Sequence, residues 1–281
     1  MAPRFGEAAT FRHLRYGVVV GSDANLRNRI EPVRVLLEDK LGVQVDLYLM
    51  EDLGQLTAAL ALGDVDFGRL SASAFAAAQV KCKCLIPLVS AKADQLSDDY
   101  YSVLLTREKD GIASIAELKG TRLGVGPPQS IALKQLPFAS FRNQGIAPET
   151  FFSSIEAFDR PTDGIKALVS GQVDAALAWS SLVGNPDTGY SAGTLNDVFL
   201  TGETDEGELE IVWRSEPIPY NVYGLSTSVP QEVAGKLRDT LIELRDADPG
   251  LYGVMEPQWS GGFRSGHDVV IRPLLELYEN R

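Results

Sequence analysis

Apolar positions along this chain switch repeatedly between a strand-like and a helix-like period. Residues 16–20 form a short apolar run closed by Gly21, Ser22, Asp23, Ala24 and Asn25. Leu26, Ile30, Val33, Leu37 and Leu41 then recur every three or four positions, which predicts an amphipathic helix that Gly42 ends and that Asp23 or Asn25 can cap. The pattern continues as a strand over 43–49, a helix through Leu53, Leu56 and Leu60 stopped by Gly63, a strand over 65–67, an Ala-rich helix over 71–80 and a strand over 85–89. Alternation restarts after Tyr101, with a strand over 102–106 and a short helix that Ser114 opens, Glu117 completing a capping box. A strand over 121–125 and a helix carrying Leu133, Leu136 and Phe138 follow, then a strand over 151–155, a helix over 162–170 and a strand over 174–178. Residues 185–207, rich in Gly, Asp, Thr and Asn, read as a long surface loop. Strands over 209–213 and 222–226 are separated by Pro217 and Pro219; a helix opening at Val229-Pro230 buries Leu237, Leu241 and Leu244, and a last helix covers 269–278.

Strand and helix alternating at this spacing specify an α/β architecture built on mostly parallel sheet. The restart after Tyr101 and the Pro-marked return at 217–221 predict two lobes of discontinuous sequence, residues 1–101 with 222–281 and residues 102–221, with a ligand cleft between them. Residues 59–66, ALALGDVD, match residues 167–174, ALVSGQVD; each is a helix end, a terminal glycine and a strand start, so the lobes share a construction.

Composition narrows the partners. The 281 residues are 44% hydrophobic with a net charge of −12. This charge argues against nucleic acid and anionic membrane as partners, because the dominant attraction has the wrong sign. No run approaches the ~20 apolar residues of a membrane helix, and the first residues lack the apolar core of a signal peptide. The expected location is therefore periplasmic or lipid-anchored if a leader has been removed, and cytoplasmic if Met1 is native. Two thiols, Cys82 and Cys84, and two histidines, His13 and His267, do not make a zinc site. The cysteines are expected on one face of a strand edge, where a disulfide is strained and ordinary packing is the simpler role.

Enzyme chemistry finds little support. The chain has no G-x-S-x-G elbow, no H-E-x-x-H and no Walker lysine motif, and Gly124-Val125-Gly126 lacks the third glycine of a dinucleotide fingerprint. No carboxylate stands out by an apolar context, so no catalytic residue, cofactor or metal is expected. Binding is better supported. Gly68-Arg69-Leu70-Ser71, Gly126 to Ser130 and Ala178-Trp179-Ser180-Ser181 all fall at strand ends, where open α/β sheets hold ligands. Ser130 opens a helix just past a strand, a natural anion site; capping that helix is its alternative role. Tyr100, Tyr101, Trp179, Tyr220 and Tyr223 cluster near the lobe crossings, and Tyr100, Ser130 and Trp179 are expected to face one pocket.

These segments resemble the substrate-binding proteins of phosphonate, phosphite and phosphate ABC transporters. Tyr100-Tyr101-Ser102-Val103-Leu104, Ile115-Ala116-Glu117-Leu118-Lys119-Gly120, Gly171-Gln172-Val173-Asp174-Ala175-Ala176, Val212-Trp213-Arg214-Ser215-Glu216-Pro217-Ile218-Pro219 and Gly262-Phe263-Arg264 occur in the family's order. The resemblance implies the type II periplasmic-binding-protein architecture: two Rossmann-like α/β lobes, each on a central mixed sheet, joined by a two-strand hinge. Where the family's loop reads Asp-Pro-x-Ser-Thr-Ser-Gly, this chain reads Pro127-Pro128-Gln129-Ser130-Ile131-Ala132-Leu133, keeping one hydroxyl. The family's histidine is replaced near Arg160-Pro161-Thr162, its acidic residue after Ile-Pro is Asn221, and Tyr100 is kept. The expected ligand residues are Tyr100, Gln129, Ser130, Ile131, Trp179, Ser180, Asn221 and Ser71, with Arg69 and Arg160 as charged forks. The expected function is a monomeric solute-binding protein that delivers a small oxyanion-bearing organic ligand to an ABC permease. A sensory binding protein serving a histidine kinase, and a lyase or decarboxylase on the same fold, are the alternatives.

Overall fold

The computed structural model describes residues 11–279 except 24, 95, 187, 188, 205 and 206. The expectations about Met1 and the first ten residues lie outside the described part. The chain runs β1 (His13–Val19), α1 (Leu26–Leu41), β2 (Gln44–Met50), α2 (Leu53–Leu62), β3 (Phe67–Ser71), α3 (Ala72–Cys82) and β4 (Leu85–Ala91). It continues with β5 (Asp99–Arg107), β6 (Arg122–Val125), α4 (Leu136–Asn143), α5 (Pro148–Phe151), β7 (Ser154–Ala157), α6 (Pro161–Val169), β8 (Ala175–Ser180), α7 (Thr194–Leu200), β9 (Leu209–Arg214) and β10 (Ile218–Pro219). It ends with β11 (Asn221–Ser226), α8 (Gln231–Ala247), α9 (Pro249–Met255), β12 (Phe263–Ser265) and α10 (Arg272–Glu279). Contacts group the described residues into two units: one up to Ala91 with Asn221–Val269, the other Lys92–Tyr220 with those from Val270 on.

The first unit holds a six-stranded sheet in the order β12-β4-β11-β3-β1-β2. β1 pairs in parallel with β2 and β3, while β11 runs antiparallel between β3 and β4. One face buries Leu14 and Tyr16 against Ile30, Val33 and Leu37 of α1 and Leu237 and Leu241 of α8. On the other face α2 approaches closely: a Cβ on Gly17 would stand 2.4 Å from Leu56 Cδ1, so a larger residue there would push the Leu56 side chain aside.

The second unit holds a sheet in the order β10-β5-β8-β6-β7, and β9 pairs with residues 103–107 of β5, across from β8. Ala176 and Ala178 of β8 join Val103, Ile165, Leu168, Leu195 and Val198 on one face. Ala175 and Leu177 join Leu104, Leu123, Phe138 and Phe141 on the other. Successive residues alternate between two cores, as a strand covered on both faces requires.

A shared device sits at the start of both sheets. Arg15 of β1 gives its backbone N–H and Nε to Asp66 Oδ2 at 2.9 and 3.0 Å, and Nη2 to Oδ1 at 2.6 Å. Arg122 of β6 makes the same three bonds to Asp174, at 2.9, 2.9 and 2.7 Å. Each arginine also donates to the carbonyl of the glycine ending the preceding helix, Gly63 or Gly171. The repeated GxVD pattern thus has a structural purpose: its aspartate clamps the neighbouring parallel strand.

Several expectations change. The 185–207 loop contains α7, held because Thr194, Leu195 and Val198 are buried against the unit's core. The strand expected at 151–155 is split into α5 and β7, because Pro148 starts a helical turn that runs to Phe151. Ser114 does not cap the backbone; its hydroxyl donates to Glu117 Oε1 at 2.7 Å over a single 3₁₀ turn at Ile115–Leu118. The terminal helix was expected with the first lobe, yet α10 packs beside α4 in the second unit, where Pro273 and Leu277 share a groove with Phe138. Cys82 and Cys84 do not lie side by side on a strand: Cys82 ends α3, Lys83 turns left-handed at φ 53°, and the two sulfurs are bonded with Cα atoms 5.1 Å apart.

Candidate functional site

In the second unit β6 and β8 are parallel and antiparallel β5 lies beside β8, so both carboxyl ends and the start of β5 meet at one edge. Past Val125 the chain must turn tightly. A Cβ on Gly126 would lie 2.5 Å from Leu133 Cβ, so this position accepts only glycine. Its N–H donates to the Leu133 carbonyl at 3.0 Å and draws the next helix over the strand end. Ser130 caps that helix, its Oγ accepting from Leu133 N–H at 3.2 Å. The hydroxyl proton is still free to donate outward. The helix opens with one wide turn, Ile131–Gln135, before α4, and the N–H groups of Ile131 and Ala132, in its first turn, have no acceptor within the helix. Gln129 is exposed and Ile131 half-buried.

Tyr100, at the start of β5, packs edge-on against Trp179 at 5.5 Å and tilted against Tyr220 at 5.2 Å. Burial raises the Tyr100 phenol above its ordinary value, and Tyr220 adds to the effect. Burial also pushes Tyr220 up to about 12, although its hydroxyl meets Ser97 Oγ at 2.8 Å. Ser180 is fully buried, and its Oγ accepts from Leu182 N–H at 3.1 Å, so it shapes the turn after β8. The Arg160 guanidinium is already engaged by Asp163 at 2.8 and 2.9 Å and is largely exposed.

In the first unit the ends of β1 and β3 meet the start of β11 around a cavity of about 390 Å³ that includes Tyr16, Arg29, Arg69, Ser71, Asn221 and Gln258. Ser71 caps α3 by accepting from Ala74 N–H at 3.2 Å. Arg69 was expected as a charged fork for a ligand, but its fork is closed by Glu256: Nε donates to Oε2 at 2.9 Å and Nη2 to Oε1 at 2.8 Å. Burial alone lowers the Arg69 guanidinium, and the bonds and charge of Glu256 more than reverse this. Glu256 is 1% exposed and also accepts from Asn221 Nδ2 at 3.0 Å. Tyr223, counted among the crossing aromatics, donates its hydroxyl inward to the Met255 carbonyl at 2.8 Å. Glu256 was missed in the sequence; the signal available was its setting between Val254-Met255 and Pro257.

Two α/β units on mixed sheets, with the chain crossing from one to the other after β4 and back before β11, define the class of type II periplasmic binding proteins. A Xanthomonas citri protein bound to ATP shares this fold, with a TM-score of 0.61, 18% identity and 95% of each chain covered. Within that class, the chain belongs to the family of ABC transporter, phosphonate, periplasmic substrate-binding proteins, whose model matches residues 18–269. It is 24% identical over 221 residues to the phosphate-import protein PhnD of Mycolicibacterium smegmatis, covering 77% of this chain and 67% of that protein. It is 23% identical over 273 residues to the phosphonates-binding periplasmic protein of Escherichia coli, covering 94% and 75%. Family members bind a small molecule for a membrane permease, act outside the cytoplasm and are not enzymes. Among the described residues no helix is long and apolar enough to cross a membrane.

Proposed function

We propose that this chain captures a small organic ligand bearing one oxyanion, performs no chemistry on it, and presents it as a monomer to an ABC permease. The observation that carries this reading is the strand-end edge of the second unit. There the Ser130 hydroxyl and the first-turn N–H groups offer donors, while Tyr100 and Trp179 supply flat aromatic surface beside them. Arg160 and Arg69 are both held by internal carboxylates. A doubly charged phosphate therefore has no free guanidinium among these predicted residues, and a ligand with less charge and an organic body suits them better. Gln129 and Ile131 flank the donors, Ser180 supports the turn behind Trp179, and Ser71 and Asn221 offer polar groups on the edge of the first unit. The Cys82–Cys84 bond supports an oxidising, extracytoplasmic location.

The test is titration with alkylphosphonates, read by calorimetry and by intrinsic fluorescence with Trp179→Phe as control. Ser130→Ala removes a hydrogen bond to a charged group and is expected to weaken binding about tenfold or more without unfolding. Unchanged affinity in both Ser130→Ala and Trp179→Ala places the ligand elsewhere. A sensor-kinase partner in place of a permease predicts the same binding, and is separated from it by co-purification with the permease.

A further inference from the structure

Glu256 is buried behind the first unit's cavity, between the lining residues Met255 and Pro257, and its partners Arg69 and Asn221, which do line it, constrain what that cavity can read. Its carboxylate takes both arms of Arg69 and the Asn221 amide, with the Tyr223 oxygen 3.4 Å away. Two consequences follow from donor and acceptor chemistry alone. The Arg69 charge is matched inside the protein, and the second acceptor of Nη2, Gln258 Oε1 at 2.9 Å, keeps the fork in place. The Asn221 side chain is oriented as well. A carboxylate accepts only, so the nitrogen of the amide must face Glu256 and the amide oxygen is the atom left for the cavity that Asn221 lines. An aspartate at 221 would instead set two carboxylates about 3.0 Å apart, so Glu256 itself imposes the amide at this position.

We propose that Glu256 is a positioning residue that sets the polarity of this site: it neutralises Arg69 and turns the Asn221 carbonyl toward the cavity, so that the ligand body is recognised there through a hydroxyl, not through a cation or an anion. The inference rests on the reading above that a ligand reaches this edge. It deepens that reading by naming the ligand class, a hydroxyl-bearing organic oxyanion.

The experiment exchanges the two groups. Asn221→Asp with Glu256→Gln keeps one amide–carboxylate bond but moves the carboxylate to the cavity side. The probes are 2-hydroxyethylphosphonate, 2-aminoethylphosphonate and ethylphosphonate, titrated by calorimetry into the wild-type protein and the double variant, with melting followed for both and for Asn221→Asp alone. The wild type is expected to favour the hydroxyl probe over the ammonium probe by about tenfold, and the double variant to reverse that order. Asn221→Asp alone melts below both, because its like charges are unrelieved. A folded double variant with the wild-type ratio overturns the inference while leaving phosphonate capture intact. A wild type that prefers the ammonium probe also overturns it. A wild type that binds none of the three overturns the proposed ligand class and this inference with it, a different pattern from the first two.

Discussion

Asp174 gives the sharpest test of the clamp repeated in both units. Its carboxylate accepts three bonds from Arg122 and lies 3.6 Å from Arg107 Nη2. The Arg122 side chain bonds, outweighing the opposing effect of burial and helped by the Arg122 backbone N–H, lower Asp174 from 3.8 to about 2. The folded-state value lies below the unfolded one, so the stabilisation is fully present above about pH 4 and is lost as pH falls through about 2. A shift of this size corresponds to about 2 kcal/mol, and the side chain is only 23% exposed, so screening trims it modestly. Asp174→Asn keeps the shape and removes the charge. It is expected to cost about 2 kcal/mol at pH 7, a fall in melting temperature of about 4–8 °C. Urea unfolding of both proteins at pH 7, 4 and 2.5 reads this directly: the gap should be wide at 7 and 4 and should have narrowed by 2.5. Equal midpoints at pH 7, or a gap that widens on acidification, would refute the assignment of this stability to the ionised clamp.

Asp66→Ala leaves Arg15 beside an empty site where a 2%-exposed carboxylate stood, and is expected to destabilise the first unit by about 3 kcal/mol in the same assay. Gly126→Ala forces the loop off Leu133; alkylphosphonate binding should fall at least as far as in Ser130→Ala, and a variant that binds normally would mean that the loop is not part of the site. Alkylation of the native protein should find no free thiol until a reductant is added, and two thereafter, as counted by mass spectrometry.

The chain's periodicity was enough to read the alternating strands and helices, since each depends on local spacing: Leu26 to Leu41 every three or four residues, Gly42 and Gly63 as left-handed stops. It also carried the GxVD repeat and the family's motifs in order. Where tertiary packing decides, the sequence was silent. α7 forms in a stretch of loop composition because Leu195 and Val198 find a core, and α10 takes its partner from α4, a choice no periodicity encodes. The two arginines show the same divide in the candidate site. Sequence identifies Arg69 and Arg160 as forks but not what fills them: Asp163 is three residues away, whereas Glu256 reaches Arg69 only because α9 returns to the end of β3. Whether Arg69 has charge to offer is set by that long-range contact, because a guanidinium's availability depends on its nearest carboxylate in space rather than along the chain.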